Sequence, residues 1–311
     1  MTKFNKRVYG LIGVSSVLAN WNADFSGFPK TFSDGTVFAS DKALKYAIKR
    51  YWANDGEKIL YLRSYMIGKD GKLQPRELRE RYEEVFGTEL KKKESSTEVL
   101  ENLLSALDVA NFGATFAEEG QNISLTGVVQ IGQGVNKYDA TEAEIQDILS
   151  PFRNSNEDSK NKNAASIGKK IISNEADYFY PFSVNPQNYD EYIPMIDGFE
   201  GYSEEDYEKF KQAALIAATA LNTNSKSGAS NTFAVFVTFK EGENVYLPQL
   251  DDYAEFEKTL DGNVVDVTKL EELLDPFRDQ IESIDYYVDP IKFSIRGAQN
   301  DIRNIYTSEF L

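Results

Sequence analysis

Two β-α-β patterns, one near the N-terminus and one in the second half of the chain, constrain the possible fold more than any other sequence feature. The first has a strand, a helix and a strand, predicted at 7–18, 41–52 and 58–67. The second has the same order, predicted at 171–184, 203–221 and 232–239. Another strand is predicted between them at 123–131, and a last helix and strand follow at 267–281 and 283–288. We therefore expect an α+β protein built around one sheet.

The order of these elements resembles a ferredoxin-like split βαβ fold that carries two insertions. The first insertion, 68–120, is charged and helical, with amphipathic segments at 76–86 and 97–112. The second, 132–170, is rich in Gly, Asn, Ser and Lys, apart from an amphipathic segment at 141–149 that predicts a short helix. Loop-rich insertions of this length inside a compact domain are usually functional or disordered.

The amino-acid composition excludes several kinds of chemistry. The 311 residues include no cysteine and no histidine, so a disulfide framework, a Cys/His zinc site and a Ser-His-Asp triad are impossible. The Gly132-Gln133-Gly134 sequence follows a strand, but Lys137 stands where a dinucleotide-binding motif needs its third glycine. No spacing of carboxylates brings two of them together for acid-base catalysis or a metal ion. We expect no catalytic residue, metal or cofactor.

The net charge of −16 argues, taken over the whole chain, against nucleic acid and anionic membranes as partners. Only the first fifty residues are net basic, at +5. Within them, Lys42, Lys45 and Lys49 fall inside an arc of about 60° on the predicted helix 41–52. Ser40 can cap this helix. The N-terminal end of the helix carries a partial positive charge, which would favour binding of phosphate oxygens. A solvated amphipathic face would explain the same lysines.

The polar connection at 20–36 leads from the first strand to this helix. Asn20, Asn22 and Asp24 alternate at its start, and Lys30 and Ser33 follow. Alternating Asx residues can form turns that only shape the loop, or they can present amides to sugar and phosphate groups. The pattern alone leaves both interpretations open.

The N-terminus contains a pattern that imitates a secretory signal. Lys3, Lys6 and Arg7 precede an apolar run at 8–19, but glycines and serines interrupt the run and no cleavage site follows. A buried first strand explains the same residues, and no segment approaches the ~20 apolar residues that cross a bilayer. We therefore expect a cytoplasmic protein without a membrane partner.

Three motifs carry a family resemblance: RVYGLIGVSSVLANWNAD at 7–24, SDKALKYAIKRY at 40–51 and LTGVVQ at 125–130. Their order and spacing resemble the backbone subunit of type I CRISPR Cascade complexes, the Cas-seven family, and most closely its I-B branch. The resemblance implies an RRM-like palm formed by 1–67, 121–131 and 171–311, the last part with an acidic C-terminal elaboration. It also implies a helical finger insertion at 68–120 and a loop-rich thumb insertion at 132–170.

The function that this resemblance implies is a non-catalytic scaffold. Such subunits polymerise head to tail along crRNA, the CRISPR guide RNA, and present it for pairing with target DNA. The implied partners are crRNA, target DNA, other copies of the chain and the large, small, Cas-five-type and repeat-processing subunits of Cascade.

The residues predicted to bind RNA combine the resemblance with the basic block. The family motifs match Asn20, Asn22, Lys45, Thr126, Gly127, Gln130, Gly168, Lys169 and Lys170. The basic helix and the loop before it add Lys30, Ser40, Lys42 and Lys49. Tyr46 departs from the family pattern, because arginine is frequent there, and Trp21 and Ala23 occupy positions that are commonly Pro and Gly.

Two alternative functions stay open at this point. The related type III backbone proteins cut target RNA with a loop aspartate, so Asp24 or another loop aspartate would fit a metal-dependent endoribonuclease. A small-molecule binder on a ferredoxin-like fold is the other alternative, and it predicts no salt-dependent affinity for RNA.

Overall fold

The computed structural model describes residues 2–92, 95–150 and 166–311. The described α-helices are α1 Asp41–Asn54, α2 Leu78–Phe86, α3 Ser96–Leu104, α4 Leu107–Phe112, α5 Glu204–Ala220 and α6 Thr268–Leu274. The described strands are β1 Val8–Ala19, β2 Phe38–Ala39, β3 Tyr65–Ile67, β4 Leu73–Pro75, β5 Gly113–Phe116, β6 Ile123–Thr126, β7 Val129–Ile131, β8 Gly134–Asn136, β9 Ala143–Leu149, β10 Ser166–Val184, β11 Ala229–Phe239, β12 Glu255–Thr259, β13 Gly262–Asp266, β14 Ile281–Val288, β15 Phe293–Arg296 and β16 Ile302–Asn304. Short 3-10 helices lie at Pro186–Met195, Leu250–Tyr253 and Asp275–Phe277.

A large mixed sheet is the centre of the molecule, as the α+β prediction required. Strand β1 pairs antiparallel with β10 on one side and with β11 on the other. Strand β10 also pairs with β7, β8 and β9 along its length, while β14 and β16 extend the opposite edge. The chain order β1-α1-β7-β10-α5-β11 is the βαββαβ order of the split βαβ motif. The predicted strand 7–18, helices 41–52 and 203–221, and strand 232–239 are confirmed.

Strand β1 is buried on both faces, which explains its nearly continuous apolar sequence. Glycines at two positions let aromatic rings pack against its backbone. A Cβ on Gly10 would lie 2.4 Å from the Phe182 ring, and one on Gly13 would lie 2.1 Å from the Phe233 ring. Larger residues at either position would displace these rings.

Helices cover one face of the sheet. Apolar residues of α1 and α5 pack against β1 there, including Leu44, Ile48, Trp52, Phe210 and Ala214. Helices α2, α3 and α4, which lie within 68–120, contribute to the same core. None of the described helices is both long and apolar enough to cross a membrane.

The C-terminal part of the chain covers the other face of the sheet. Residues Leu250, Val265, Leu270, Leu274 and Phe293 pack there on Leu11, Phe179, Phe233 and Val235. RNA recognition motifs stack bases on aromatic side chains of an open sheet face. In this chain that face is covered by protein, so it is not available for stacking bases.

The prediction of a core strand at 58–67 is wrong. Only β3 forms there, and it pairs with β4 outside the main sheet. The buried carboxylate of Asp108 accepts hydrogen bonds from the backbone N–H groups of Leu60 and Tyr61, each at 2.8 Å. These bonds satisfy the N–H groups of Leu60 and Tyr61 without a partner strand. Strand β7, which pairs with β10, is instead the strand that follows α1 in the order of the motif.

Three other predicted elements differ from the structure. The predicted strand at 123–131 breaks into β6, which pairs with β5, and β7, which pairs with β10. The predicted helix at 97–112 is two helices, α3 and α4. The predicted helix at 267–281 ends at Leu274, since Pro276 follows within a 3-10 turn.

The amphipathic segment 141–149 forms strand β9 rather than a helix. Every residue of β9 is exposed, so its apolar residues have no core that would favour helical packing. The strand instead pairs with the outer half of β10, which satisfies the backbone groups of both segments.

Asp177 on β10 supplies a test of this packing. Its side chain is buried, and neither carboxylate oxygen has a hydrogen-bond partner among the described residues. Burial raises the pKa of Asp177 from 3.8 to about 7, and a weak interaction with Ser15 offsets this only in part. Since the unfolded chain ionises at lower pH, the native state should lose about 2–4 kcal/mol at this site as pH rises from 4 to 8.

We therefore expect Asp177→Asn to become more stable relative to the unsubstituted protein as pH rises over that range. Urea unfolding at several pH values measures the difference. Substitution of the exposed Asp301 by Asn is the control. Parallel pH profiles for the unsubstituted protein and Asp177→Asn would contradict the argument.

Candidate nucleic-acid interface

The loop 20–40 is anchored to the end of the sheet by its first two residues. The indole Nε1 of Trp21 donates a buried hydrogen bond to the hydroxyl of Tyr180 at 2.7 Å. The amide Nδ2 of Asn20 donates to the carbonyl oxygens of Gly27 at 2.8 Å and Ile171 at 3.1 Å. The buried side chain of Asn20 therefore links the loop to β10, and its amide nitrogen already donates two hydrogen bonds.

Asn22 and Ser40 connect the loop to the start of α1. The Asn22 Oδ1 accepts hydrogen bonds from the backbone N–H of Ser40 at 2.8 Å and from its hydroxyl at 2.9 Å. Ser40 is the N-cap residue of α1, as predicted, but its side chain makes no capping bond. The Asn22 carbonyl oxygen also accepts from the Lys30 N–H at 3.1 Å. Asn22 thus positions the backbone of Lys30 and the N-cap residue of the helix, Ser40.

A tight turn at 24–28 forms the tip of this loop. Asp24 Oδ1 accepts hydrogen bonds from the N–H groups of Ser26 at 2.8 Å and Phe28 at 3.0 Å. The Asp24 N–H donates to the Phe28 carbonyl at 2.7 Å. One carboxylate oxygen of Asp24 is therefore engaged in shaping the turn.

The three lysines of α1 occupy different environments. Lys42 is exposed. Lys45 forms an ion pair with Asp41 at 3.1 Å, and its Nζ lies 5.4 Å from the centre of the Phe112 ring. Lys49 donates to the Tyr61 carbonyl at 2.7 Å, and burial lowers its pKa. The lysines share one side of the helix, but the charges of Lys45 and Lys49 already have protein partners.

The motif at 125–130 is followed by Gln133, which contacts the start of α1. Gln133 Nε2 donates to Asp41 Oδ1 at 3.4 Å, which joins this segment to the helix. Gln130 Nε2 donates to the carbonyl oxygen of Gly127 at 2.8 Å. A Cβ on Gly127 would lie 2.2 Å from the backbone of Phe112. Thr126 and Gln130 are exposed, whereas Gly127 is a packing position.

The hairpin formed by β9 and β10 places the remaining predicted residues. Pairing between β1 and β10 ends at Ala19 and Ser173. Residues 166–172 of β10 therefore extend past β1 and, among the described strands, pair with β9 alone. Lys169 is exposed and Lys170 is half-buried in this extension. Gly168 lies beside them, opposite Ile148 of β9.

We call Lys30, Lys42, Lys169 and Lys170 the basic surface. Within the part of the chain that the structure describes, none of their four ammonium groups forms an ion pair or hydrogen bond. Asn20 links the loop that carries Lys30 to Ile171, the neighbour of Lys170. Asn22 links the same loop to the helix that carries Lys42. Short hydrogen-bonded paths thus connect segments that are far apart in sequence.

Two residues of this region were missed by the sequence analysis. Lys226 Nζ donates to the Asn20 carbonyl at 2.6 Å, and burial lowers the pKa of Lys226 to about 8. No local pattern indicates that contact, because 206 positions separate the two residues. Phe25 is fully exposed at the tip of the turn. An aromatic residue inside a polar, glycine-containing loop was the available signal for it.

A family model described as CRISPR-associated protein Cas7 matches residues 6–279. This chain belongs to the Cas7 family. The prediction made from the three motifs is thereby confirmed at the level of the family. As a Cas7 protein, the chain is a crRNA-binding backbone subunit of a CRISPR RNA-guided surveillance complex, and it is not an enzyme.

One solved structure supports the fold of this chain. A chain described as "CRISPR RNA-guided surveillance complex, pre-nicking" is similar with a TM-score of 0.53 and 12% identity, over 96% of this chain and 96% of that chain. Another, described as "CRISPR RNA-guided surveillance complex", has a TM-score of 0.43 and 12% identity, over 89% and 88%. No curated protein matches the chain.

Two glycines of the Cas7 motifs should respond differently to substitution. We expect Gly127→Ala to destabilise the protein by at least about 2 kcal/mol, because the added methyl group meets backbone that cannot move aside. Gly168→Ala is the matched control, since a Cβ there meets no atom within 4 Å. The free energy of unfolding of Gly168→Ala should stay within about 0.5 kcal/mol of that of the unsubstituted protein. Chemical denaturation measures both, and equal losses would contradict the packing role of Gly127.

Proposed function

We propose that this Cas7 subunit holds the sugar-phosphate backbone of crRNA on the basic surface, without reading the base sequence. The observation that carries the proposal is that Asn20 and Asn22 link the segments that carry four lysines without partners in the described structure, in a chain with a net charge of −16. Binding to phosphates needs local cations and does not need a basic protein overall. The exposed side chains of Thr126 and Gln130 would add hydrogen bonds to ribose or phosphate.

The other predicted RNA-binding residues would act mainly by positioning this surface. Asn20, Asn22 and Ser40 form hydrogen bonds that hold the loop in place. Gly127 allows close packing against the backbone of Phe112. Lys45 and Lys49 already contact Asp41 and the Tyr61 carbonyl. A phosphate near the start of α1 would compete with Asp41 for Lys45. Gly168 would let the RNA backbone approach β10 closely.

We further propose a division into palm, finger and thumb. The palm would comprise 1–67, 121–131 and 171–311, the finger 68–120 and the thumb 132–170. The location of α2, α3 and α4 within 68–120 supports the finger, and the projecting β9–β10 hairpin supports the thumb. Residues 151–165 of that thumb lie outside the described residues.

Copies of the chain would polymerise head to tail along crRNA and present it to target DNA in the cytoplasm. Residues 197–290 carry 21 acidic and 7 basic side chains, while the first fifty residues are net basic. Head-to-tail assembly uses two different complementary surfaces, so this asymmetry supports contact between neighbouring copies. The large, small, Cas-five-type and repeat-processing subunits would complete the assembly. The motifs at 7–24, 40–51 and 125–130 support its placement in the I-B branch.

The basic surface can be tested by charge reversal. We expect the double variant Lys42→Glu/Lys169→Glu to bind RNA at least tenfold more weakly for every base sequence alike. The slope of log affinity against log salt should fall by about 1.4, the value for two lost phosphate contacts on a single strand. Filter binding at several salt concentrations measures both quantities.

The double variant Lys240→Glu/Lys292→Glu is the matched control, because it changes the charge equally at two other exposed lysines. Its affinity for RNA should stay within about twofold of the unsubstituted protein. Equal losses in the two variants would show that only total charge matters. A loss confined to particular RNA sequences would exclude backbone binding.

Cleavage of target RNA supplies a separate test of the scaffold role. Assembled with crRNA and incubated with target RNA and Mg²⁺, the protein should leave the target intact. Asp24 shapes its own turn, and the described residues contain no cluster of three acidic side chains that could hold a metal ion. Gel electrophoresis that showed regularly spaced cuts, lost in Asp24→Asn, would support the type III alternative instead.

A further inference from the structure

Phe25 is the most exposed large apolar side chain among the residues that the structure describes, with a relative exposure of 112%. It lies at the tip of the turn 24–28, directly after Asp24. An aromatic ring held completely in water contributes nothing to the hydrophobic core. Its position next to the basic surface indicates a binding role.

The backbone that carries Phe25 is held by several hydrogen bonds. Asp24 bonds the N–H groups of Ser26 and Phe28, and Ala23 and Pro29 form a bridge below the turn. Asn20 holds the Gly27 carbonyl oxygen from inside the loop. The turn is therefore shaped before any ligand binds, which lowers the entropic cost of a contact made by the ring.

Cationic side chains lie on both sides of this turn. The point where a Cβ of Gly27 would stand is 3.5 Å from Ile171 Cδ1, so the turn lies against β10. Lys169 is two residues before Ile171 and therefore lies on the same face of β10. On the other side, the bridge between Ala23 and Pro29 leads directly to Lys30. A strand whose phosphates meet these lysines would bring its bases within reach of the Phe25 ring.

The chemistry of the turn favours a base over a protein surface as the contact. Asp24, Ser26 and Gly27 are the polar or small neighbours of Phe25 in sequence. Phe28 and Phe32 of the same loop are much less exposed, at 38% and 40%, so the tip presents one fully exposed ring and not a broad apolar patch. Aromatic side chains beside a cationic groove stack on bases of single-stranded nucleic acid, and they do so for any base. We infer that Phe25 stacks on one nucleobase of the bound guide strand. This inference rests on the proposed binding of crRNA by the basic surface.

Fluorescence of 2-aminopurine can locate the stacked base. A series of guide RNAs would carry this base at one position each, and each RNA would be bound by the unsubstituted protein, Phe25→Tyr and Phe25→Ala. Stacking quenches the fluorescence. We expect quenching at one position, or at one position in each regular repeat, in the unsubstituted protein and Phe25→Tyr. Phe25→Ala should recover several-fold higher fluorescence at those positions only.

Affinity measurements on an abasic RNA separate stacking from other effects. We expect Phe25→Ala to weaken binding about tenfold on intact RNA. On RNA that lacks the base at the quenched positions, the same substitution should change affinity less than twofold. Tyr246→Ala is the control, because Tyr246 is an aromatic residue with 72% exposure on a different part of the chain. It should leave affinity and fluorescence unchanged.

Four results would overturn this inference or the function on which it rests. Identical fluorescence of Phe25→Ala and the unsubstituted protein at every position would exclude stacking. Equal affinity losses on intact and abasic RNA would point to a contact between protein copies instead. If the unsubstituted protein bound RNA with no salt dependence, the proposed function itself would fail. Salt-dependent binding that is unaffected by Phe25→Ala would overturn the stacking inference alone.

Discussion

Strand β1 is buried between two layers, and the rings of Phe182 and Phe233 pack against its two glycines. This packing determines the register of β1 with β10 and β11, because a shift by one residue would move each ring onto a side chain. The position of Ala19, where β1 ends, follows from that register. The loop after Ala19 and the free end of β10 therefore meet at one edge of the molecule.

The first polar residues of that loop hydrogen-bond within the protein. Asn20 and Asn22 use their side chains to tie three segments together, and Asp24 shapes the turn between them. The four lysines of the basic surface lie on the segments that this network joins. A surface with this organisation can hold a flexible polyanion, because its lysines are carried by a helix, a strand and a hydrogen-bonded loop and are not positioned by the ligand.

The C-terminal layer changes how the sheet can be used. In RNA recognition motifs the open sheet face stacks bases, but here Leu250, Leu270 and Phe293 cover that face. The same part of the chain, 197–290, carries 21 acidic and 7 basic side chains, and this charge disfavours contact with nucleic acid there. The proposed backbone binding at the end of the sheet, with an aromatic turn beside it, is compatible with both facts.

Local sequence patterns were sufficient to predict helices that bury one apolar face, such as α1 and α5. The same patterns were sufficient to predict strands that are buried on both faces, such as β1 and β11. They were also sufficient for the basic N-terminal block, and the order of three motifs was sufficient for the Cas7 family. Only the tertiary structure decided that Asp108 replaces a strand partner at Leu60 and that Gly127 ends β6. It likewise decided that Lys49 is occupied while Lys42 is free of partners in the described structure. The physical reason is that these outcomes depend on hydrogen bonds and close contacts between segments distant in sequence, which no local periodicity records.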